Sequence, residues 1–242
     1  RQMCIRDSRY RRYLVGYKRG KYNFTDILSL NKMGWMVGLQ MGLETALFSI
    51  TGIMIGWLGS IALAAHQVMV AISTLGFMIY YGVGAAVSVR VSNYFGRQDL
   101  LHVRRTTMAG FHLILCLAVC ACTVFLFSRE LIGYLFTTSE EVIRVVSTLV
   151  YILLAYQFGD ALQITYANSL RGIGDVISMA VISFIGYFLI AMPVCYICGF
   201  VLEWGITGIW IGYPIGLTLT GVMLCGRYYW KLKTKTQSKE FY

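Results

Sequence analysis

Residues Val142–Leu170 read VIRVVSTLVYILLAYQFGDALQITYANSL, an apolar run with an aspartate, Asp160, well inside it. A helix rising 1.5 Å per residue crosses the hydrocarbon layer of a membrane in about 20 residues, so this run is long enough to span one. A carboxylate at the centre of a membrane helix costs about 2.5–3.5 kcal/mol on the insertion scale. Such acids usually lie on an ion or substrate pathway, and the polar side of this run is expected to face other helices.

Five more apolar runs of similar length accompany this one: Met33–Trp57, Ala65–Val89, Thr106–Phe127, Val176–Leu202 and Gly205–Tyr229. Hydrophobic residues make up 57% of the 242 residues and charged residues 13%, about half of the ~25% charged residues of a soluble domain. A soluble protein with six buried helices would need a polar surface that this composition cannot supply. Because open strands cannot pair all their backbone groups in lipid, the sequence predicts an all-α bundle of six transmembrane helices.

The positive charge is unevenly placed along the chain. The formal net charge is +10, and all but two of the 21 Lys and Arg fall on one side if six helices alternate across a membrane. The two exceptions are Arg129 and Arg144. This positive-inside pattern predicts a multi-pass protein of the inner (plasma) membrane with both termini in the cytoplasm. The basic segments then lie near anionic membrane lipid and are not expected to bind nucleic acid.

Composition divides the chain into four segments. Within residues 1–8 (RQMCIRDS), Gln2–Ser8 match the translation of an adapter used in sequencing libraries, so we expect residues 1–8 to be non-native. Residues 9–32 form a basic cytoplasmic linker with an amphipathic portion suited to the membrane surface. Residues 33–230 are predicted to form the six-helix membrane lobe, and residues 231–242 a charged cytoplasmic tail.

Several residues indicate where helices start or bend. Asp99 can cap the helix that carries Arg104 and Arg105 into span three, and Asp175 directly precedes span five and can cap it. Thr138-x-x-Glu141 has the form of a capping box that opens span four. Pro193 and Pro214 lie inside spans five and six. Each removes a backbone hydrogen bond, so each is expected to kink its helix.

The seven cysteines do not predict a metal centre. Cys195 and Cys198 have the spacing of half a zinc motif, but no second pair accompanies them, so they are expected to act as small apolar residues. No nucleophile–base pairing or metal cluster at membrane depth points to an enzyme. No cofactor is therefore expected apart from a coupling ion.

Polar residues concentrate in the first and fourth spans. Tyr156 and Asp160 are four residues apart and share a helix face, and Glu44 lies midway along the first span. Two carboxylates and a phenol can coordinate a hard cation such as Na⁺ through oxygen, or the acids can bind and release protons. Alternatively, each acid is neutral and hydrogen-bonded to a neighbouring helix. The candidate cation site is Glu44, Tyr156 and Asp160, with Gln40, Gln157 and Gln163 as possible neighbours.

Two tyrosines of the second span are candidates for substrate contact. Tyr80 and Tyr81 could line a substrate cavity, because aromatic rings attract cations through their π faces. They could equally pack against lipid.

Three segments carry a family resemblance: LQMGLETAL (Leu39–Leu47), ALAAHQVMVAISTLGFMIYYGVGAAVSVRVSNYFGRQD (Ala62–Asp99) and YQFGDALQITYANSLRGIGD (Tyr156–Asp175). With GITGIW at Gly205–Trp210, they resemble the multidrug and toxic compound extrusion (MATE) transporters, in particular their NorM-like bacterial branch. The resemblance runs from about Arg12 to Lys233. It concerns the C-terminal lobe of a family whose members have twelve helices in two six-helix lobes.

The resemblance implies a cation-coupled antiporter that exports organic, often cationic, drugs or toxins in exchange for Na⁺ or H⁺. The family's acid on its seventh helix matches Glu44, and its tyrosine and aspartate on the tenth helix match Tyr156 and Asp160. The combination of Tyr156 with two acids favours Na⁺ over H⁺ without excluding either. The implied partners are small organic cations, the coupling ion, membrane lipid and an N-terminal lobe of the same polypeptide.

Two other functions stay open at this point. A lipid-linked oligosaccharide flippase of the wider superfamily would favour a cavity lined by several cationic side chains, which these spans do not show. A six-helix half could also be a non-transporting membrane scaffold that dimerises.

Overall fold

The computed structural model describes residues 24–240, with side chains described as far as Gln237. This part of the chain is helical and contains no strand. The helices are α1 (Phe24–Gly56), α2 (Ser60–Gly96), α3 (Leu100–Phe127), α4 (Arg129–Phe136), α5 (Glu140–Gly172), α6 (Val176–Phe184), α7 (Met192–Tyr196) and α8 (Gly205–Glu240). Two π-helical turns, Ile185–Ala191 and Ile197–Val201, join α6, α7 and the turn before α8.

Six helical segments are long and apolar enough to cross a membrane. They are α1, α2, α3, α5, the composite segment Val176–Val201 and the Gly205–Gln237 part of α8. The prediction of an all-α bundle with six transmembrane helices is therefore confirmed. The protein is a multi-pass membrane protein.

The chain forms two compact units, residues 1–35 and residues 36–242. In the first unit the structure describes the beginning of α1 from Phe24. Residues 24–32, predicted as the end of a linker, are thus helical, while residues 1–8 and the rest of that linker lie outside the described residues. The predicted tail continues α8 as far as Glu240. All the residues discussed below belong to the second unit.

Short turns connect the spans and reverse the chain between them. Gly174, in the turn after α5, has a φ of 79°, a left-handed backbone conformation that favours glycine. Asp99 caps α3 as predicted, since its Oδ1 accepts a hydrogen bond from the backbone N–H of His102 at 3.1 Å. That bond and the contact with the His102 ring hold the pKa of Asp99 below its ordinary value.

Asp175 behaves differently from the predicted cap. Its carboxylate makes no capping bond to α6. It accepts hydrogen bonds from Arg227 Nε and Ser178 Oγ, both at 2.8 Å, with Lys231 Nζ 3.9 Å away. Partial burial alone would raise the pKa of Asp175, but these partners hold it below its ordinary value. The carboxylate therefore ties the α5–α6 turn to α8.

The predicted capping box is also absent, because the N-cap of α5 is Ser139 and makes no side-chain capping bond.

Replacing Asp175 with Asn should lower the free energy of unfolding by about 1–3 kcal/mol at pH 7, since a nearly buried charged hydrogen bond is lost. A carboxylate with a lowered pKa in the folded state stabilises above its ordinary pKa, and that contribution disappears as the pH falls. The difference between the wild-type and Asp175→Asn melting curves in detergent should therefore begin to shrink below about pH 4 and disappear as the pH falls through the lowered pKa of Asp175. Glu140→Gln, which removes an exposed 3.8 Å ion pair, is the control and should change stability by less than about 0.5 kcal/mol. Equal melting of the Asp175 variant and wild type at pH 7 would contradict the assignment.

Helix α5 lies at the centre of the second unit and packs against α2, α3 and α8. Its buried residues include nearly all of the stretch from Tyr156 to Leu170. The polar run predicted for span four is thus turned toward other helices and away from lipid, as its composition required.

Spans five and six pack through small residues. Gly208, Gly212 and Gly216 recur every four residues on α8 and face the segment that runs from Ala191 to Gly199. Transmembrane helices gain little from hydrophobic burial against each other, so close backbone approach at such residues contributes much of their association. The π-helical turns stand on either side of Pro193, where the sequence predicts a disturbed helix, whereas Pro214 lies inside uninterrupted α8.

Candidate functional site

Asp160 occupies the centre of α5 with no exposed surface. Both of its carboxylate oxygens are buried, and neither accepts a hydrogen bond from the residues that the structure describes. Buried polar atoms nearly always have a partner, and an unmatched one calls for an explanation such as an ion. The residue singled out by its depth in the sequence is therefore also the residue whose bonding capacity the protein leaves unused.

Glu44 reaches the same region from α1. Its Oε2 accepts hydrogen bonds from Gln40 Nε2 at 3.4 Å and from the hydroxyl of Tyr187 at 3.3 Å. The amide of Gln163 on α5 donates in turn to the Tyr187 hydroxyl. Two predicted neighbours, Gln40 and Gln163, thus connect to Glu44, the second of them through a residue of span five.

Tyr156 completes the predicted set. Its hydroxyl interacts electrostatically with the carboxylates of Asp160 and Glu44, and the two carboxylates also interact electrostatically with each other. The structure therefore brings Glu44, Tyr156 and Asp160 together from two helices. A phenol and two carboxylates offer the oxygen ligands that hard cations prefer, and the acids can also carry protons.

A cavity of about 190 Å³ opens beside this set. Glu44 and Tyr156 line it together with the aromatic rings of Phe48 and Phe77 and the hydroxyl of Ser73. No Lys or Arg belongs to its described lining. A negative group among aromatic rings is suited to a small cation or to one end of an organic cation.

The two candidate tyrosines of α2 have different surroundings. Tyr80 is fully buried and packs among Ile114, Ala118 and Ala161, away from this cavity. Tyr81 lines a smaller recess that also reaches Glu44, and it accepts a hydrogen bond from Arg171 Nη1 at 3.4 Å.

Gln157, the remaining predicted neighbour, is buried against Gly76 of α2. Its amide makes no hydrogen bond within the described part of the chain. It therefore lies beside Tyr156 on α5 without joining the network around Glu44.

The sequence interpretation missed two participants. Tyr187 bridges Glu44 and Gln163, and the sequence offered only a weak signal for it, because Ser178, Ser183 and Tyr196 also place hydroxyls in span five. Arg171 donates to Gln40 Oε1 at 3.4 Å and to Asn168 Oδ1 at 3.2 Å. It follows Asp160 by about three helical turns and so shares its face of α5, although charge alone had marked it only as a topology signal.

Six apolar spans around the buried Asp160 and the partly exposed Glu44 define a helical multi-pass membrane protein with an ionisable site among its helices. A family model described as MatE matches residues 37–197, two-thirds of the chain. The chain belongs to the MATE family. The recognition made from its motifs is confirmed, and because its relatives are transporters, so is the prediction that it is not an enzyme.

Bacterial multidrug resistance proteins are among the relatives that match by sequence. The multidrug resistance protein NorM of Photobacterium profundum is 34% identical over 220 residues, which cover 89% of this chain and 47% of that protein. NorM of Vibrio cholerae serotype O1 is 33% identical over 214 residues, covering 86% of this chain and 47% of that protein. The chain thus spans about half the length of the curated relatives it matches.

Solved structures show the same fold. A eukaryotic MATE transporter superimposes with a TM-score of 0.80 at 20% identity, covering 91% of this chain and 51% of the transporter. A Vibrio cholerae MATE transporter in its bent form gives a TM-score of 0.76 at 17% identity, covering 84% of this chain and 46% of its own length. The arrangement of six helices is therefore that of one half of a MATE transporter.

Proposed function

We propose that this chain is the C-terminal six-helix lobe of a cation-coupled antiporter that exports organic cationic drugs or toxins in exchange for Na⁺ or H⁺. The observation that carries the proposal is the pair of carboxylates, Glu44 and Asp160, held on different helices within range of each other inside the transmembrane core. Ionisable groups at this depth usually mark an ion or substrate pathway. The names of the NorM relatives, multidrug resistance proteins, support the export of drugs.

Each residue of the site has a role in this proposal. Asp160 and Glu44 supply the negative charge for the coupling ion, and Tyr156 supplies a phenol oxygen. Gln40 and Gln163 hold Glu44 through hydrogen bonds, the latter by way of Tyr187. The cavity beside Glu44, with its aromatic rings and its lack of described Lys or Arg, suits an organic cation better than the phosphate of a lipid-linked oligosaccharide.

Ion binding would move the lobe between two packings. A ligand biases such an equilibrium only by binding one state more tightly than the other. Glu44 borders the cavity and interacts electrostatically with Asp160. Release of the ion would therefore leave Glu44 charged for binding of the drug at the cavity, which would couple ion transport to drug transport. The π-helical turns beside Pro193 provide a segment whose hydrogen bonding can rearrange.

The remaining parts of the proposal concern the whole protein. An N-terminal lobe of the same polypeptide would supply the other half that the length of the relatives indicates. The Lys and Arg distribution supports an inner-membrane protein with both ends in the cytoplasm. No cofactor other than the coupling ion enters the scheme.

The test is a chimaera that joins the N-terminal half of Photobacterium profundum NorM to this chain, reconstituted into proteoliposomes. We expect ethidium export when a Na⁺ or a proton gradient is imposed separately, and no measurable exchange by the 242-residue chain alone. The alternative of a non-transporting scaffold is supported if the folded chimaera ignores both gradients. Drug exchange by the chain alone would contradict the division into two necessary lobes.

A further inference from the structure

A groove of about 400 Å³ lies between α2 and α3, apart from the carboxylate site. Its polar rim holds two guanidinium groups, Arg90 and Arg105, with the ring of Tyr94 stacked on that of His102 at 5.2 Å. The rim stands at the end of the helices where the Arg97–Asp99 turn joins them. This is the level at which lipid headgroups meet the ends of transmembrane helices.

The floor of the groove is apolar and continues away from the rim. Val83 lies two turns before Arg90 on α2, and Leu113 lies about two turns after Arg105 on α3, so the floor reaches about 10–12 Å into the membrane. Gly110 packs directly against Val87 and closes the bottom of the groove between the helices. Its outer wall is open, as the exposed Leu113 shows. The shape is that of a slot for a headgroup with acyl chains below it.

Within the described part of the chain, the only acid that interacts electrostatically with either arginine is Asp99, which attracts Arg105 without a direct contact. Among the side chains that the structure describes, none forms a hydrogen bond or a salt bridge with the guanidinium group of Arg90 or Arg105. The neighbouring acid, Asp99, is already engaged by His102, with 2.7 Å between Oδ2 and the ring Nδ1. The rim therefore carries a net positive charge that the fold leaves available.

We propose that this groove, formed by Arg90, Arg105, Tyr94 and His102 above Val83, Ala86, Ala109 and Leu113, binds an anionic phospholipid. The guanidinium groups would hold the phosphate in a bidentate manner, and the floor would hold the acyl chains. Basic pockets between transmembrane helices at the cytoplasmic end bind anionic headgroups in this way. In the orientation proposed above, the groove faces the cytoplasmic leaflet. A free phosphate has no acyl chains that could contact the apolar floor.

The site can be tested on the purified chain in detergent by native mass spectrometry with phosphatidylglycerol and phosphatidylcholine. We expect phosphatidylglycerol to bind in preference to phosphatidylcholine. Arg90→Gln/Arg105→Gln should weaken phosphatidylglycerol binding roughly 30-fold, the loss expected for two arginines at an anionic headgroup. The control Arg97→Gln/Lys233→Gln removes the same charge from exposed positions outside the groove lining and should change binding less than about threefold.

A second variant separates a lipid from a free anion. Ala86→Trp/Ala109→Trp fills the exposed apolar floor but keeps both arginines, so phosphatidylglycerol binding should fall while the protein elutes from size exclusion as wild type does. Glycerol 3-phosphate, which has no acyl chains, should not compete. Equal losses in the two arginine-pair variants would show diffuse attraction and overturn the proposal, as would full binding by the tryptophan variant or effective competition by glycerol 3-phosphate. None of these results depends on drug export or on the coupling ion.

Discussion

Asp160→Asn should abolish gradient-driven ethidium export by the chimaera while leaving its expression and folding intact. The amide occupies the same volume but lacks the charge, and Asp160 makes no hydrogen bond with a described residue that the change would break. At 4 Å and an effective dielectric constant near 20, the attraction between a carboxylate and a monovalent cation is about 4 kcal/mol. Even after partial compensation by neighbours, ion binding should weaken by about 100-fold or more. The measurement is ethidium efflux from proteoliposomes under Na⁺ and proton gradients.

Glu141→Gln provides the matched control, because it neutralises an exposed acid at the start of the same helix. It should export as wild type does. Glu44→Gln should impair coupling too, and its combination with Asp160→Asn should be no worse than the single Asp160 variant if both acids serve one ion. Export by Asp160→Asn at the wild-type rate under either gradient would remove the basis of the proposed function.

Gly208→Ala should destabilise the fold by about 1–3 kcal/mol, although it adds a single methyl group. A Cβ at this position would lie 2.5 Å from the carbonyl carbon of Cys198 and 2.9 Å from the amide nitrogen of Gly199, and it would also meet the Cys198 carbonyl oxygen. These are backbone atoms of a π-helical turn, so no side chain can rotate away. Spans five and six would have to separate, which thermal unfolding in detergent should detect as a lower melting temperature.

Gly226 lies on the same helix with nothing within 4 Å of an added Cβ. Gly226→Ala should therefore leave stability unchanged or raise it by up to about 1 kcal/mol, because alanine favours the helix. If the two alanine variants melted together, α8 would not approach span five as closely as the structure shows.

The acids of the site could be predicted because membrane depth makes a charge conspicuous. Glu44 and Asp160 stand out in apolar runs, and the four-residue spacing of Tyr156 and Asp160 is enough to place them on a common helix face. The length of each apolar run likewise predicts the number of spans. These features depend on composition and on the period of one helix.

Contacts between helices could not be predicted in the same way. Tyr187 reaches Glu44 only because span five lies beside α1 and α5. No sequence pattern within span five predicts which helices will be its neighbours. Asp175 shows the same limit at a turn. Its position before α6 predicted a cap, but the carboxylate binds Arg227, which is distant in sequence, and makes no capping bond. Among the described residues Asp99 has no partner distant in sequence, and it caps its helix as expected.

Because of the π-helical turns beside Pro193, the number of residues in this segment determines whether Tyr187 can reach Glu44. A π-helix closes its hydrogen bonds between residues five apart instead of four, so each such turn accommodates an additional residue. Tyr187 lies within the first of these turns, whereas Cys195 and Gly199 beyond it contact α8. A homologue that lost one residue between Tyr187 and Cys195 would rotate the tyrosine by about 100° relative to that contact. The tyrosine hydroxyl would then point away from Glu44, even if all the other residues of the segment were identical. An alignment gap between Tyr187 and Cys195 therefore indicates a changed site, which the percentage identity does not reveal.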